Sequence, residues 1–211
     1  MAVRGTGWAK VCAGWLTARG VSPDRISQAS LVFAALAFLA FWGAGVARPG
    51  PASAMLILAA LCVQGRLLCN LFDGMVAVEG GRSGPAGAFW NEVPDRPADV
   101  LILAGAGLAC GALWLGLLAA AGAVMTAYLR ALSVSLTFGE DFSGPFAKPQ
   151  RMAAVTIGAV VSALEVVLTG SVWVLTLALV VVAVGTFYTA GRRALRLLRK
   201  MEAAPKAQKA H

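Results

Sequence analysis

The sequence is poor in charge, in acid and in histidine. Charged residues make up 13% of its 211 positions, against roughly a quarter in an average soluble domain. Hydrophobic residues make up 59%. Such a chain does not stay disordered, and at this length it has too little interior to hide so much apolar surface. The hydrocarbon must face lipid. The one histidine, His211, is terminal, so any chemistry runs without a histidine base. Cys12, Cys62, Cys69 and Cys110 have no CxxC spacing, and three lie in apolar segments. They read as small buried residues rather than disulfide partners or metal ligands. Lys and Arg outnumber Asp and Glu by 18 to 10, a formal charge of +8. The cations sit mostly at the ends of apolar runs, which is the pattern of membrane orientation and not of nucleic-acid binding.

Gaps in the charge pattern lay out the spans. Residues 29–47 are uncharged and end at Arg48, Pro49, Gly50 and Pro51; residues 52–72 are interrupted only by Arg66. Each is long enough for a crossing of roughly 20 residues. Residues 100–138, with Arg130 as their one charge, are too long for one span and divide at Gly111 and Gly116. Residues 152–191 divide in the same way near Glu165 and Gly170. The expectation is an all-α integral membrane protein of six transmembrane helices. An interfacial helix precedes them, because Trp8, Val11, Cys12, Trp15 and Leu16 recur at helical spacing. The domain plan is an N-terminal interfacial segment at 1–25, a transmembrane catalytic domain at 26–191 and a basic tail at 192–211.

An even span count puts both termini on one side. Arg4, Lys10, Arg19, Arg25, Arg82, Arg96, Lys148, Arg151 and the cations from Arg192 to Lys209 all fall on that side, and only Arg48 lies opposite. The positive-inside rule makes it cytoplasmic. A cleaved signal peptide ending at Ala52-Ser53-Ala54 is rejected, since the charged region before it is too long. Trp8, Trp42, Trp90, Trp114 and Trp173 fit an aromatic belt, and the basic tail fits attraction to anionic lipid.

Five of the ten acidic residues lie between Asp73 and Asp99. Asn70, Asp73, Gly74 and Ala77 share one helix surface, since residues three and four apart are neighbours. After a glycine-rich loop, Gly87, Asn91, Asp95 and Asp99 follow at intervals of four and, if helical, line another. Two helix mouths would then present oxygen ligands to each other at the bilayer edge. Hard oxygen ligands with open positions suit magnesium or manganese holding a phosphate ester.

The stretch from Asn70 to Asp95 resembles the motif of the CDP-alcohol phosphotransferase family, D-x2-D-G-x2-A-R-x8-G-x3-D-x3-D. Asp73, Gly74, Ala77, Gly87 and Asp95 match at the right spacings, Asn70 and Asn91 replace two aspartates, and Val78 replaces the arginine. Ser22 to Ser27 and Lys148 to Arg151 are weaker landmarks. The resemblance implies transfer of a phosphatidyl group from CDP-diacylglycerol to an alcohol with release of CMP, in a homodimer of the inner membrane. Glycerol phosphate, an inositol phosphate or serine are options for the acceptor within the family, and no residue here decides among them. It also implies that Asp73 is a metal ligand and that Asp95 is the base, also touching metal. Gly74, Ala77 and Gly87 would give the nucleotide close access to backbone.

The departures bear on the metal. Asn70 and Asn91 keep a carbonyl oxygen but each removes a charge, which leaves one ion or weaker binding of two. Asp99, Glu92 or Glu79 would restore charge, Asp99 being best placed. Pro94 and Pro97 leave two alternatives open: a kinked helix running from Asn91 to Asp99, or a helix starting near Pro94 with Asp95 in its first turn. Arg66 and Arg130 are costly within the membrane unless paired or facing a polar cavity. With Lys148 and Arg151 they are candidates for phosphate contacts, against snorkelling for Arg66, structural pairing for Arg130 and solvation for the other two. Glu165 reads as structural. A second class of reading is a catalytically silent relative that binds a nucleotide-lipid or serves in assembly, which the two amides favour. A transporter would need broken helices or midplane charges that the sequence lacks.

Overall fold

The computed structural model describes residues 6–79 and 87–203. The side chains of Glu79, Ala88 and Asn91 also lie outside the described set. The described residues form α1 (Gly7–Ala18), α2 (Pro23–Val46), α3 (Pro49–Glu79), α4 (Gly87–Glu92), α5 (Asp95–Ala109), α6 (Leu113–Ser135), α7 (Lys148–Thr169) and α8 (Trp173–Ala203). Among them no strand is formed. Five helices, α2, α3, α6, α7 and α8, are long and apolar enough to cross a membrane. With 15 residues, α5 spans only about 22 Å at 1.5 Å per residue, short of the ~30 Å hydrocarbon layer.

Helix limits follow local chemistry. Ser22 caps α2, its hydroxyl accepting from the Arg25 amide, and Pro23 occupies the first turn, where a missing N–H costs nothing. The same tolerance lets α3 begin at Pro49 with Pro51 in its opening turn. Thus α3 starts before the apolar run and continues past it to carry Asn70, Asp73, Gly74 and Ala77. Gly170 ends α7 in a left-handed conformation at φ 71°. Glu165 then caps α8: its oxygens accept from the Trp173 and Val174 amides at 2.9 and 3.0 Å and from the hydroxyls of Ser162 and Ser171.

The turn between α5 and α6 lies at Cys110–Ala112, with Gly111 at φ 63°. Gly116, expected to help break the chain, is instead inside α6, buried at a close approach of two helices. A Cβ there would sit 2.3 Å from the Leu103 carbonyl oxygen of α5. Small residues let membrane helices pack backbone to backbone, and much of the central core is alanine: Ala34, Ala37, Ala59, Ala106, Ala119 and Ala159 are all buried. Large apolar residues point outward, Leu61 at 64% and Leu164 at 65% exposure, while Arg66 is 0% exposed. Polarity is inside and hydrocarbon outside, as lipid surroundings require.

The first helix lays Ala9 and Ala13 against Met75 and Val76 of α3, with Trp8 edge-on to Phe72. Its Trp8, Val11 and Trp15 are exposed. Cys12, expected to be buried, is exposed with them, because the alanines on the opposite side are the ones that pack. Beyond Gly191, α8 continues unbroken through the basic segment to Ala203.

Replacing Gly116 with valine will lower stability by about 1–3 kcal/mol through overpacking, read as thermal unfolding in detergent. Gly191→Ala, where a Cβ meets nothing within 4 Å, will leave the transition unchanged or raise it.

Candidate functional site

Three helices bring their charges to one place. On α3, Arg66, Asn70 and Asp73 stand at i, i+4 and i+7, one face of the helix. Opposite them, α5 begins at Asp95, with Pro94 as its N-cap and Asp95 and Asp99 one turn apart. Lys148 and Arg151 come from the first turn of α7. Since α5 packs on α2 and α3 packs on both α2 and α7, these side chains meet inside the bundle.

Of the two alternatives left by Pro94 and Pro97, the structure has the helix start. A turn at residues 93–94 separates α4 from α5, so the series Gly87, Asn91, Asp95, Asp99 is not one continuous helix face as the spacing suggested. Proline cannot donate the hydrogen bond that a continuous helix needs, whereas Pro97 in the first turn of α5 gives up a donor that has no intrahelical partner. Asp95 therefore sits where the helix dipole favours its ionised form.

The centre of the site is a chain of alternating charges. Arg66 Nη2 donates to Asp99 Oδ1 at 2.8 Å and to Asp95 Oδ1 at 3.2 Å, and it also reaches the Asp95 carbonyl at 3.4 Å. Arg151 Nη2 donates to the other oxygen of Asp99 at 2.8 Å. Lys148 Nζ donates to Asp95 Oδ2 at 2.5 Å, and Asn70 Nδ2 donates to Asp95 Oδ1 at 3.0 Å. Arg66, Asp95, Asp99 and Arg151 are all buried. Asp99, best placed by sequence to replace a missing ligand, has each of its oxygens held by a guanidinium instead.

Asp73 stands apart from that chain. Its Oδ2 accepts from Ser27 of α2 at 2.8 Å, while its Oδ1 is buried with no hydrogen-bond partner. Arg66 Nε and Nη1 are likewise buried without acceptors. An unmet acceptor and unmet donors thus stand on one face of α3, each costing about 1–3 kcal/mol if left so. Beside Asp73, Ala77 is half-buried, and at Gly87 a Cβ would meet nothing within 4 Å.

Arg130 is outside this chain. Its Nη2 donates to both oxygens of Glu92, which also accepts from Arg96, and its guanidinium lies 5.3 Å from the centre of the Phe142 ring. Glu92 is therefore a partner of arginines rather than a neighbour of Asp73. Ser27, the last residue of the weaker landmark at Ser22 to Ser27, completes the surroundings with Thr126, which sequence reasoning did not single out, and Arg193, which it read only as a tail cation. Thr126 Oγ1 accepts from Arg151 at 3.3 Å. Arg193 is buried and donates to the Thr126 and Ser143 carbonyls at 2.7 and 3.0 Å, which fastens the 136–147 connection across the same end of the bundle. A polar and small-residue stripe at Thr186, Thr189, Ala190 and Arg193 was the available signal. In that connection the Asp141 carboxyl is held below its ordinary range. Burial opposes this, but the Ser143 hydroxyl and amide and the Arg196 and Arg193 charges outweigh it.

Asp99→Asn will remove the charge shared by two buried guanidinia and cost about 3–5 kcal/mol in unfolding free energy. Arg96→Ala, which breaks a partly exposed pair with Glu92, will cost less than about 1 kcal/mol. Denaturant unfolding in one detergent will separate the two.

No protein-family model and no curated protein sequence matches the chain. Among solved structures it is similar to three of Mycobacterium tuberculosis phosphatidylinositol phosphate synthase (PgsA1). With CDP-DAG bound, the TM-score is 0.74 at 20% identity, over 90% of this chain and 92% of that one. In complex with manganese and citrate, it is 0.76 at 20% identity, over 94% and 91%. In the apo form, it is 0.70 at 21% identity, over 89% and 94%. The fold is shared across nearly the whole of both chains.

Proposed function

We propose that this chain is a CDP-alcohol phosphotransferase of the membrane, transferring a phosphatidyl group from CDP-diacylglycerol to an alcohol and releasing CMP. One observation carries the reading. The face of α3 turned toward the start of α5 holds a buried acceptor, Asp73 Oδ1, and buried donors, Arg66 Nε and Nη1, without partners. A ligand that joins a cation to a phosphate anion satisfies both kinds at once. The shared fold with a synthase solved with CDP-DAG, and with manganese and citrate, supports the same ligand class.

A divalent ion would be held at the Asp73 end by the one free carboxylate oxygen, with Asn70 one turn earlier on the same helix face as a second oxygen donor. Oxygen donors of this kind suit magnesium or manganese. When bound, the ion would neutralise charge on the diphosphate. Asn91 is a further candidate ligand. Asp95 stays the candidate base, while Asp99, with both oxygens engaged, positions Arg66 and Arg151.

The chain's own part in the reaction follows from charge and placement. Arg66 and Lys148 face the diphosphate, with Arg151 and Arg130 further along the same end, and Gly74, Ala77 and Gly87 leave backbone open to the nucleotide. The acceptor hydroxyl oxygen bonds to the phosphatidyl phosphorus, the bond from phosphorus to CMP breaks, and the hydroxyl proton passes to Asp95. Asp95 is paired with Arg66 and Lys148, and a carboxylate held by two cations is a weak base. A loose phosphoryl-transfer transition state asks for proton removal only late, so a weak base suffices. In this reading α5 completes a six-span bundle, both termini and the site are cytoplasmic, and the protein acts in the inner membrane as a homodimer.

One observation favours a catalytically silent nucleotide-lipid binder instead. Both oxygens of Asp95 are already engaged, by Arg66, Asn70 and Lys148. A single assay separates the readings. Purified protein with CDP-diacylglycerol, magnesium or manganese, and glycerol phosphate, inositol phosphate or serine will release CMP. Asp95→Ala will reduce the rate by about 10²–10⁴-fold, the usual worth of a positioned base. Saturable binding of CDP-diacylglycerol without CMP release from any acceptor selects the silent reading.

A further inference from the structure

We propose that Arg66 is a resident counter-cation. Its guanidinium is fixed between Asp95 and Asp99, so the site takes at most one exchangeable divalent ion, at the Asp73 end. This rests on the reading of the site as one for a metal-bound diphosphate.

Three observations combine. First, one nitrogen of Arg66 touches a carboxylate oxygen of both Asp95 and Asp99, at 3.2 and 2.8 Å, and the side chain is 0% exposed. Guanidinium cannot shed its proton in a protein, so this positive charge is permanent. Second, the remaining oxygens of those two carboxylates are held by Lys148 and Arg151. Asp95 and Asp99 are thereby neutralised by side chains alone. A divalent ion on the same oxygens would have to displace a buried cation and then lie against it.

Third, the amide at position 70 becomes intelligible. Asn70 directs its NH2 at Asp95 Oδ1, and only a donor is tolerated there. An aspartate would set two carboxylates against one another at Asp95 Oδ1, where an amide N–H now donates. Arg66, one turn earlier on α3, donates to the same Asp95 oxygen, so positions 66 and 70 meet that carboxylate as two donors. The unpartnered Nε and Nη1 of Arg66 then serve the ligand's phosphate oxygens, which a metal would otherwise screen.

Manganese counting by electron paramagnetic resonance, with purified protein in detergent, tests this. Wild type will bind no more than one Mn²⁺ per chain. Asn70→Asp with Asn91→Asp, Arg66 being kept, will still bind one. Adding Arg66→Met to that pair will bring the count to two, and Mn²⁺ will raise the melting temperature of this triple variant more than that of wild type. Arg66→Lys in place of Arg66→Met will hold the count at one, because the charge is kept. Two ions on wild type, or two on the Asn70→Asp, Asn91→Asp variant with Arg66 intact, would overturn the proposal. So would a folded triple variant that gains none. A CMP-release assay run alongside keeps the questions apart: one ion with no CMP released rejects the transferase and leaves Arg66 as the counter-cation. Two ions with CMP released does the reverse.

Discussion

A guanidinium sealed inside an apolar helix bundle has to be matched by carboxylate, and that requirement organises this molecule. Arg66 has no exposure and no means of becoming neutral. Asp99 answers it from α5, Arg151 answers Asp99 from α7, and Asp95 is shared between Arg66 and Lys148. Three helices that would otherwise slide on alanine faces are held in one register by these contacts. An isolated ion of this kind costs several kcal/mol to desolvate, and good geometry with further hydrogen bonds is needed to offset it. The Asn70 and Thr126 side chains supply such bonds.

Much of the fold was legible because a lipid-facing chain writes its spans as gaps in charge. The runs starting at Ala29 and Ala52 correspond to α2 and α3, and the block from Met152 to Gly191 divides into α7 and α8. The turn at Gly111 and the stop at Gly170 are those the glycines marked. Gly116 misled, since a glycine for close helix contact and a glycine for a turn look alike in sequence. Helix ends were less legible. The apolar run of α3 stops near Phe72 and the helix continues to Glu79, as the shared face of Asn70, Asp73, Gly74 and Ala77 required, whereas the start of α5 at Asp95 was an end that Pro94 and Pro97 left open.

The candidate site was legible as membership and not as wiring. Arg66, Asn70, Asp95, Asp99, Lys148 and Arg151 do meet, but spacing along a chain cannot show whether an oxygen will face a cation from a helix 50 residues away. Asp99 read as a spare ligand and is a clamp between two arginines. Arg193 read as one more tail cation and is buried against two carbonyls, because α8 does not end where its apolar stretch does. The two amides read as damage to an acidic site. Beside Arg66, Asn70 is a donor that its acidic neighbour needs.

Arg66 and Asp99 act as one unit, which a double-mutant cycle measures most directly. Arg66→Met, Asp99→Asn and the double variant would be unfolded in the same detergent and denaturant series. The double variant will lose less stability than the sum of the single losses, by an interaction energy of about 1–3 kcal/mol. Losses that add to within about 0.5 kcal/mol would contradict it.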